Sequence, residues 1–104
     1  MKARPKKNLG QNFLLDKNII KSIVNIGNIK SNKSILEIGP GTGSLTEFIL
    51  KEKPKNFFVI EKDYNLVKLL FNKFNKFNNK INILNENILN FNLSTLSKEK
   101  LIVY

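Results

Sequence analysis

Two carboxylates and three glycines stand in this chain at a spacing that can hold a nucleoside-containing cofactor. Glu37 leads into Gly39, Gly41 and Gly43 within Ile35-Leu36-Glu37-Ile38-Gly39-Pro40-Gly41-Thr42-Gly43-Ser44-Leu45-Thr46, an apolar run that meets alternating glycines and then turns helical. Glycine lets the backbone take positive φ and come close to a ligand, and the free N–H groups of the following helix favour a carboxylate or phosphate. A phosphate-binding Walker loop needs Lys and a hydroxyl directly after its last glycine, whereas Gly43 is followed by Ser44 and Leu45. The dinucleotide pattern G-x-G-x-x-G/A fits poorly, since Ser44 holds its sixth place. Glu37 sits where a negative charge repels a pyrophosphate and attracts an ammonium or sulfonium, which suits S-adenosylmethionine better than NAD. The second carboxylate, Glu61, closes the run Asn56 to Ile60 about twenty residues beyond the loop, where a carboxylate accepts hydrogen bonds from ribose hydroxyls. The plainer reading of Glu61-Lys62-Asp63 is a polar turn before the next helix, and the register with the glycine loop outweighs it.

The elements that must position these residues are legible in outline. Met1 to Lys7 forms a basic arm, and Asp16 can cap a helix whose apolar face is Ile19, Ile20, Ile23 and Val24, closed by Gly27. Ser34 to Ile38 reads as the first strand and Ser44 to about Glu52 as a crossover helix that Pro54 ends. Asn56 to Glu61 is the second strand, Tyr64 to roughly Phe77 a helix bearing Leu66, Val67, Leu69, Leu70 and Phe74, and Ile81 to Leu84 the third strand. Lys100 to Tyr104 reads as a fourth. Alternating strands and helices imply a parallel sheet in an α/β fold. Such a sheet needs cover on both faces and a partner for each central strand, so an apolar strand Leu101-Ile102-Val103 at an edge is a pairing hazard.

Composition narrows the class. The formal charge of +10 ordinarily suggests a nucleic-acid or anionic-surface partner, but 17 of the 18 basic residues are Lys, and Lys, Asn and Ile are all encoded by A/T-rich codons. The clustered Lys2, Arg4, Lys6 and Lys7 are better evidence and can touch RNA phosphates. Phe71, Phe74 and Phe77, interleaved with Asn and Lys, could stack on bases; their spacing favours packing on the sheet. Cys and His are absent, which excludes a disulfide framework, a Cys/His zinc site and a thiol or imidazole nucleophile. No metal is implied. No apolar run approaches the roughly twenty residues of a membrane span, and the N-terminal segment lacks the apolar centre of a secretory signal, so the cytoplasm is the default location.

Three segments, Leu9-Gly10-Gln11-Asn12-Phe13-Leu14-Leu15-Asp16, Glu37 to Thr46 and Ile60-Glu61-Lys62-Asp63, resemble the successive signatures of the ribosomal RNA adenine dimethyltransferases that act on small-subunit RNA. The related macrolide-resistance methylases typically carry Ser and Lys where Pro40 and Thr42 stand here. The resemblance implies a Rossmann-like class I fold for binding S-adenosylmethionine, with Asn12 and Leu14 folding over the cofactor, Gly39 against its methionine part and Glu61 on its ribose. The family's adenine-contacting Asp is replaced by Asn87, within Asn85-Glu86-Asn87-Ile88-Leu89, which loses the charge but keeps hydrogen-bonding capacity. The resemblance also implies small-subunit ribosomal RNA or a pre-ribosomal subunit as partner and a monomeric complete enzyme.

Family members follow the fourth strand with Asn-Leu/Ile-Pro-Tyr/Phe, which holds and stacks the target adenine, and then with a small helical domain. Neither is present here, so the sequence is expected to be a partial methyltransferase domain, truncated after about four parallel strands and inactive alone. Its expected divisions are residues 1–7 as the arm, 8–33 as N-terminal signature and helix, and 34–104 as the start of the sheet. The competing reading is a non-catalytic remnant or RNA-binding module of the same fold.

Overall fold

A computed structural model describes residues 16–77 and 79–104. Its elements run α1 (Lys17–Ile26), β1 (Ser34–Ile38), α2 (Ser44–Lys51), β2 (Asn56–Ile60), α3 (Tyr64–Lys73), β3 (Asn82–Leu84) and β4 (Leu101–Val103), with 3₁₀ turns at Asn75–Phe77, Ile88–Asn90 and Leu93–Thr95. The strands form one parallel sheet in the order β3-β2-β1-β4. Ser34 pairs with Asn56 and Ile38 with Ile60, so β1 and β2 end level and their loops emerge side by side. β3 aligns Leu84 with Ile60, and β4 aligns Val103 with Leu36.

Right-handed crossovers from β1 to β2 and from β2 to β3 step in the same direction, which puts α2 and α3 on one face of the sheet. Ile49 of α2 and Leu70 of α3 accordingly share a buried cluster with Ile35, Phe57 and Val59, and Val24 of α1 joins it. This cluster is the floor on which the loops after β1 and β2 rest.

Each helix begins where its cap falls. Asp16 accepts from the N–H of Asn18 and Ile19 to start α1, and Asp63 accepts from Asn65 and Leu66 to start α3. The expected stop at Gly27 holds by position but not by mechanism. Gly27 keeps right-handed φ of −72°, and it is Asn28 that turns left-handed at φ 51°. Glycine is favoured at 27 because a Cβ there would collide with the Tyr104 hydroxyl.

α3 is shorter than the expected Tyr64 to Phe77. It ends at Lys73, with Phe74 as its cap, and the chain tightens into the 3₁₀ turn. Asn72 and Asn75 compete for backbone hydrogen bonds and weaken a helix there. The three phenylalanines also part company: Phe74 is 3 % exposed, Phe71 53 % and Phe77 44 %, so only Phe74 packs as expected. A spacing of three falls short of a helical turn, and a single stripe, Val67, Leu70 and Phe74, meets the sheet. Leu69, another of the apolar residues this helix bears, is exposed as well.

β4 occupies the outer position beside β1, and Val103 is half exposed there. Tyr104 extends the pairing past the strand: its N–H donates to Leu36 O at 2.8 Å and its carbonyl accepts from Ile38 N at 3.0 Å.

Candidate cofactor-binding site

The loops leaving the carboxyl ends of β1, β2 and β3 surround a cavity of about 360 Å³, within the range of about 300–1,000 Å³ typical of small-molecule sites. Ile38 and Gly39 border it from β1, Ile60 and Glu61 from β2, and Asn87 and Leu89 from the loop after β3. Open parallel sheets bind ligands at this end because the side chains and free N–H groups of successive loops converge there.

The glycine loop is shaped by positive φ at Gly39 (62°), Gly41 (60°) and Gly43 (92°). Among the described residues a Cβ at Gly39 or Gly41 would meet nothing within 4 Å, so what these positions demand of glycine is the positive-φ backbone conformation. Gly43 differs. A Cβ there would sit 2.8 Å from the Phe74 ring, and Gly43 is buried beneath that side chain as the N-cap of α2, away from the cavity. Gly39 N donates to Ile60 O at 2.9 Å and ties the loop to β2, while Lys73 Nζ donates to Thr42 O at 2.8 Å and ties it to α3.

Glu37 lies below this loop and does not border the cavity. Its carboxyl is buried, and Oε1 accepts a hydrogen bond from the Thr46 hydroxyl at 2.6 Å. Burial pushes its pKa up to about 7, partly countered by the Thr46 bond. At neutral pH the group is therefore shared between charged and neutral forms, and any attraction it exerts on a cation acts from beneath the loop.

Glu61 is also buried but faces the cavity. Its Oε2 accepts from Asp63 N at 2.9 Å, and its Oε1 has no hydrogen-bond partner among the described residues. One oxygen thus forms the polar turn. Asn85 holds the turn in place by donating Nδ2 to Glu61 O at 3.0 Å and to Lys62 O at 3.2 Å. Asn87 caps the 3₁₀ turn that follows β3, accepting from Leu89 N at 3.0 Å.

Of the residues singled out in the sequence, Gly39, Glu61 and Asn87 meet around the cavity, Gly41 lies in the open loop, and Glu37 and Gly43 lie beneath it. Asn12, Leu14, Lys2, Arg4, Lys6 and Lys7 fall outside the described residues. Sequence reasoning missed Thr46, Lys73 and Asn85. Asn85 carries a weak local signal, a polar amide directly after a strand, whereas Lys73 reaches a loop 31 residues away and has none. Among the described residues no cluster of His, Cys, Asp or Glu could hold a metal ion, and no helix is long and apolar enough to cross a membrane.

Residues 2–104 match the family model described as ribosomal RNA adenine dimethylase. The ribosomal RNA small subunit methyltransferase A of Pelagibacter ubique is 49% identical over 104 residues, all of this chain and 38% of that protein. The Sulfurihydrogenibium protein of the same name is 49% identical over 78 residues, 75% of this chain and 30% of its own length. The chain thus spans about a third of the length of the curated relatives it matches. Among solved structures, a 23S rRNA methyltransferase, ErmE, superposes with a TM-score of 0.69 at 29% identity, covering 77% of this chain and 32% of its own. A dimethyladenosine transferase from Plasmodium falciparum, at 24% identity and a TM-score of 0.65, covers 86% of this chain and 30% of its own and shares the fold. The sheet is therefore the Rossmann-like sheet of S-adenosylmethionine-dependent methyltransferases, and the chain belongs to the ribosomal RNA adenine dimethylase family.

Proposed function

We propose that this chain supplies the S-adenosylmethionine-binding part of an enzyme that dimethylates adenines in small-subunit ribosomal RNA. The observation that carries the reading is the convergence of Gly39, Glu61 and Asn87 on one cavity beside an open glycine backbone. These residues fit the cofactor. The carboxylate of Glu61 suits ribose hydroxyls, Ile38, Ile60 and Leu89 offer apolar walls to a base, and the space along Gly39 and Gly41 admits the methionine part. The cofactor supplies an activated methyl group, so what this chain must do is bind and orient it.

Asn12 and Leu14 complete the cofactor site in this reading, and Lys2, Arg4, Lys6 and Lys7 engage RNA phosphates. The partner is small-subunit ribosomal RNA or a pre-ribosomal subunit, in the cytoplasm. Residues 1–104 act as one cofactor-binding unit.

Two measurements test this. Calorimetric titration of the chain should show binding of S-adenosylmethionine and none of NAD; the reverse overturns the cofactor. The chain joined to the remaining portion of the Pelagibacter ubique relative should transfer methyl groups to adenines of small-subunit RNA. Cofactor binding without transfer by that chimera would favour the non-catalytic alternative.

A further inference from the structure

Gly39, Gly41 and Gly43 give the loop its shape, and a glycine adopts either sign of φ with little preference. Glycine alone therefore does not decide how the peptide planes of this loop are turned. The peptide between Thr42 and Gly43 makes the point. Turning its plane over rotates ψ of Thr42 and φ of Gly43 by half a turn, which takes Gly43 from φ 92° to a negative φ that glycine adopts as readily. Hydrogen bonds at both edges of this one peptide hold the observed orientation. Its N–H, that of Gly43, donates to Pro40 O at 3.0 Å, and its carbonyl, that of Thr42, accepts from Lys73 Nζ at 2.8 Å. The first bond closes a turn inside the loop, and the second reaches in from the last residue of α3. Among the described residues Lys73 is the only side chain that hydrogen-bonds the backbone of residues 39–43.

Lys73 is itself held in register with the loop. The ring of Phe74, the next residue, covers Gly43 so closely that a Cβ there would lie 2.8 Å from it. The other charged group near the ammonium is Glu47, whose Oε1 lies 4.0 Å away with both side chains exposed, a setting in which an ion pair contributes little. A cationic donor at 2.8 Å from a carbonyl is the stronger contact.

Resting on the cofactor reading above, we infer that Lys73 is a positioning residue for the cofactor: by fixing the Thr42–Gly43 peptide it keeps the glycine loop in its binding-competent conformation. Lys73 does not border the cavity. It acts by ordering the loop before the ligand arrives, so that less of the binding energy is spent on ordering it afterwards. Loss of the ammonium lets the peptide turn over, which also breaks the Gly43 to Pro40 bond and lowers the fraction of chains ready to bind.

The test titrates S-adenosylmethionine and S-adenosylhomocysteine calorimetrically into the unsubstituted chain, Lys73→Met, Lys73→Arg and Glu47→Gln, and follows amide exchange of Gly43 and Ile49 by NMR. Lys73→Met should weaken both ligands by the same factor, about fivefold to tenfold, and speed exchange at Gly43 while leaving Ile49 in α2 unchanged. A general loss of stability would speed both amides. Lys73→Arg should restore affinity and exchange, because a guanidinium can donate to the same carbonyl. A role through charge alone predicts the opposite sign, since removing a cation should tighten the sulfonium ligand relative to the uncharged thioether. Unchanged or tighter binding by Lys73→Met overturns the inference and leaves the cofactor reading intact, as does a loss in Glu47→Gln equal to that in Lys73→Met. Binding of neither ligand by the unsubstituted chain overturns both.

Discussion

The Thr46 hydroxyl donates to Glu37 Oε1 across 2.6 Å in the buried space between β1 and the first turn of α2. Among the described residues this bond is the hydrogen-bond partner that the desolvated carboxyl finds under the glycine loop. Because burial outweighs it, Glu37 ionises near pH 7 in the folded chain, well above its ordinary value of 4.5. Below about pH 4.5 the group is protonated whether folded or unfolded and carries no penalty. As pH rises from 4.5 to 7 the unfolded chain releases its proton first, so stability falls, by at most about 3 kcal/mol. Glu37→Gln should remove this slope and be more stable than the parent at pH 8, with little difference at pH 4. Urea unfolding of both at the two pH values checks it, and a parent whose stability rises over that window would refute the sign.

The glycines of the loop should separate into two kinds. Gly41→Arg should abolish S-adenosylmethionine binding by filling the open space beside the loop, at a cost in stability of about 1–2 kcal/mol for a side chain at positive φ. Gly43→Ala adds the collision with Phe74 to the same backbone strain, so it should destabilise the fold more than Gly41→Ala does. Calorimetry and denaturant unfolding on the variants distinguish these effects. Unchanged cofactor affinity in Gly41→Arg would count against the site.

Glu61→Gln keeps an acceptor for Asp63 N but replaces the carboxylate's charged oxygens. Loss of a charge-assisted bond to the ribose should weaken S-adenosylmethionine by about tenfold to a hundredfold with the melting temperature nearly unchanged. A drop in melting temperature without loss of affinity would make Glu61 a turn residue only.

Tyr104 binds α1 to the sheet. Its hydroxyl donates to Val24 O at 2.6 Å, a carbonyl in the last turn of the helix, and its ring lies against Gly27. Burial raises the pKa of this phenol, which keeps it a donor across the neutral range. Tyr104→Phe should cost about 1 kcal/mol through the lost bond. Gly27→Ala should cost more, and Gly27→Ala with Tyr104→Leu should recover part of that loss. A double-mutant cycle by chemical unfolding reads the coupling, and additive losses would show that the contact does not hold α1.

The sequence by itself determined the α/β class, the four strands to within a residue at each end, the Asp16-capped start of α1, the start of α3 at Tyr64, and the glycine loop followed by Glu61. These rest on local chemistry: apolar runs, an Asp cap and glycine spacing act over a few residues, so they are legible without neighbours. What each glycine is for was decided only in three dimensions. Gly27 is small because of Tyr104 and Gly43 because of Phe74, contacts made by residues far along the chain. The same holds for the lysine that braces Thr42, the amide of Asn85 that seats Glu61, and the placement of Glu37 beneath the loop and out of the cavity. A pattern of residue types specifies which backbone shapes are cheap, but the order β3-β2-β1-β4 and its level strand ends decide which side chains then face one another.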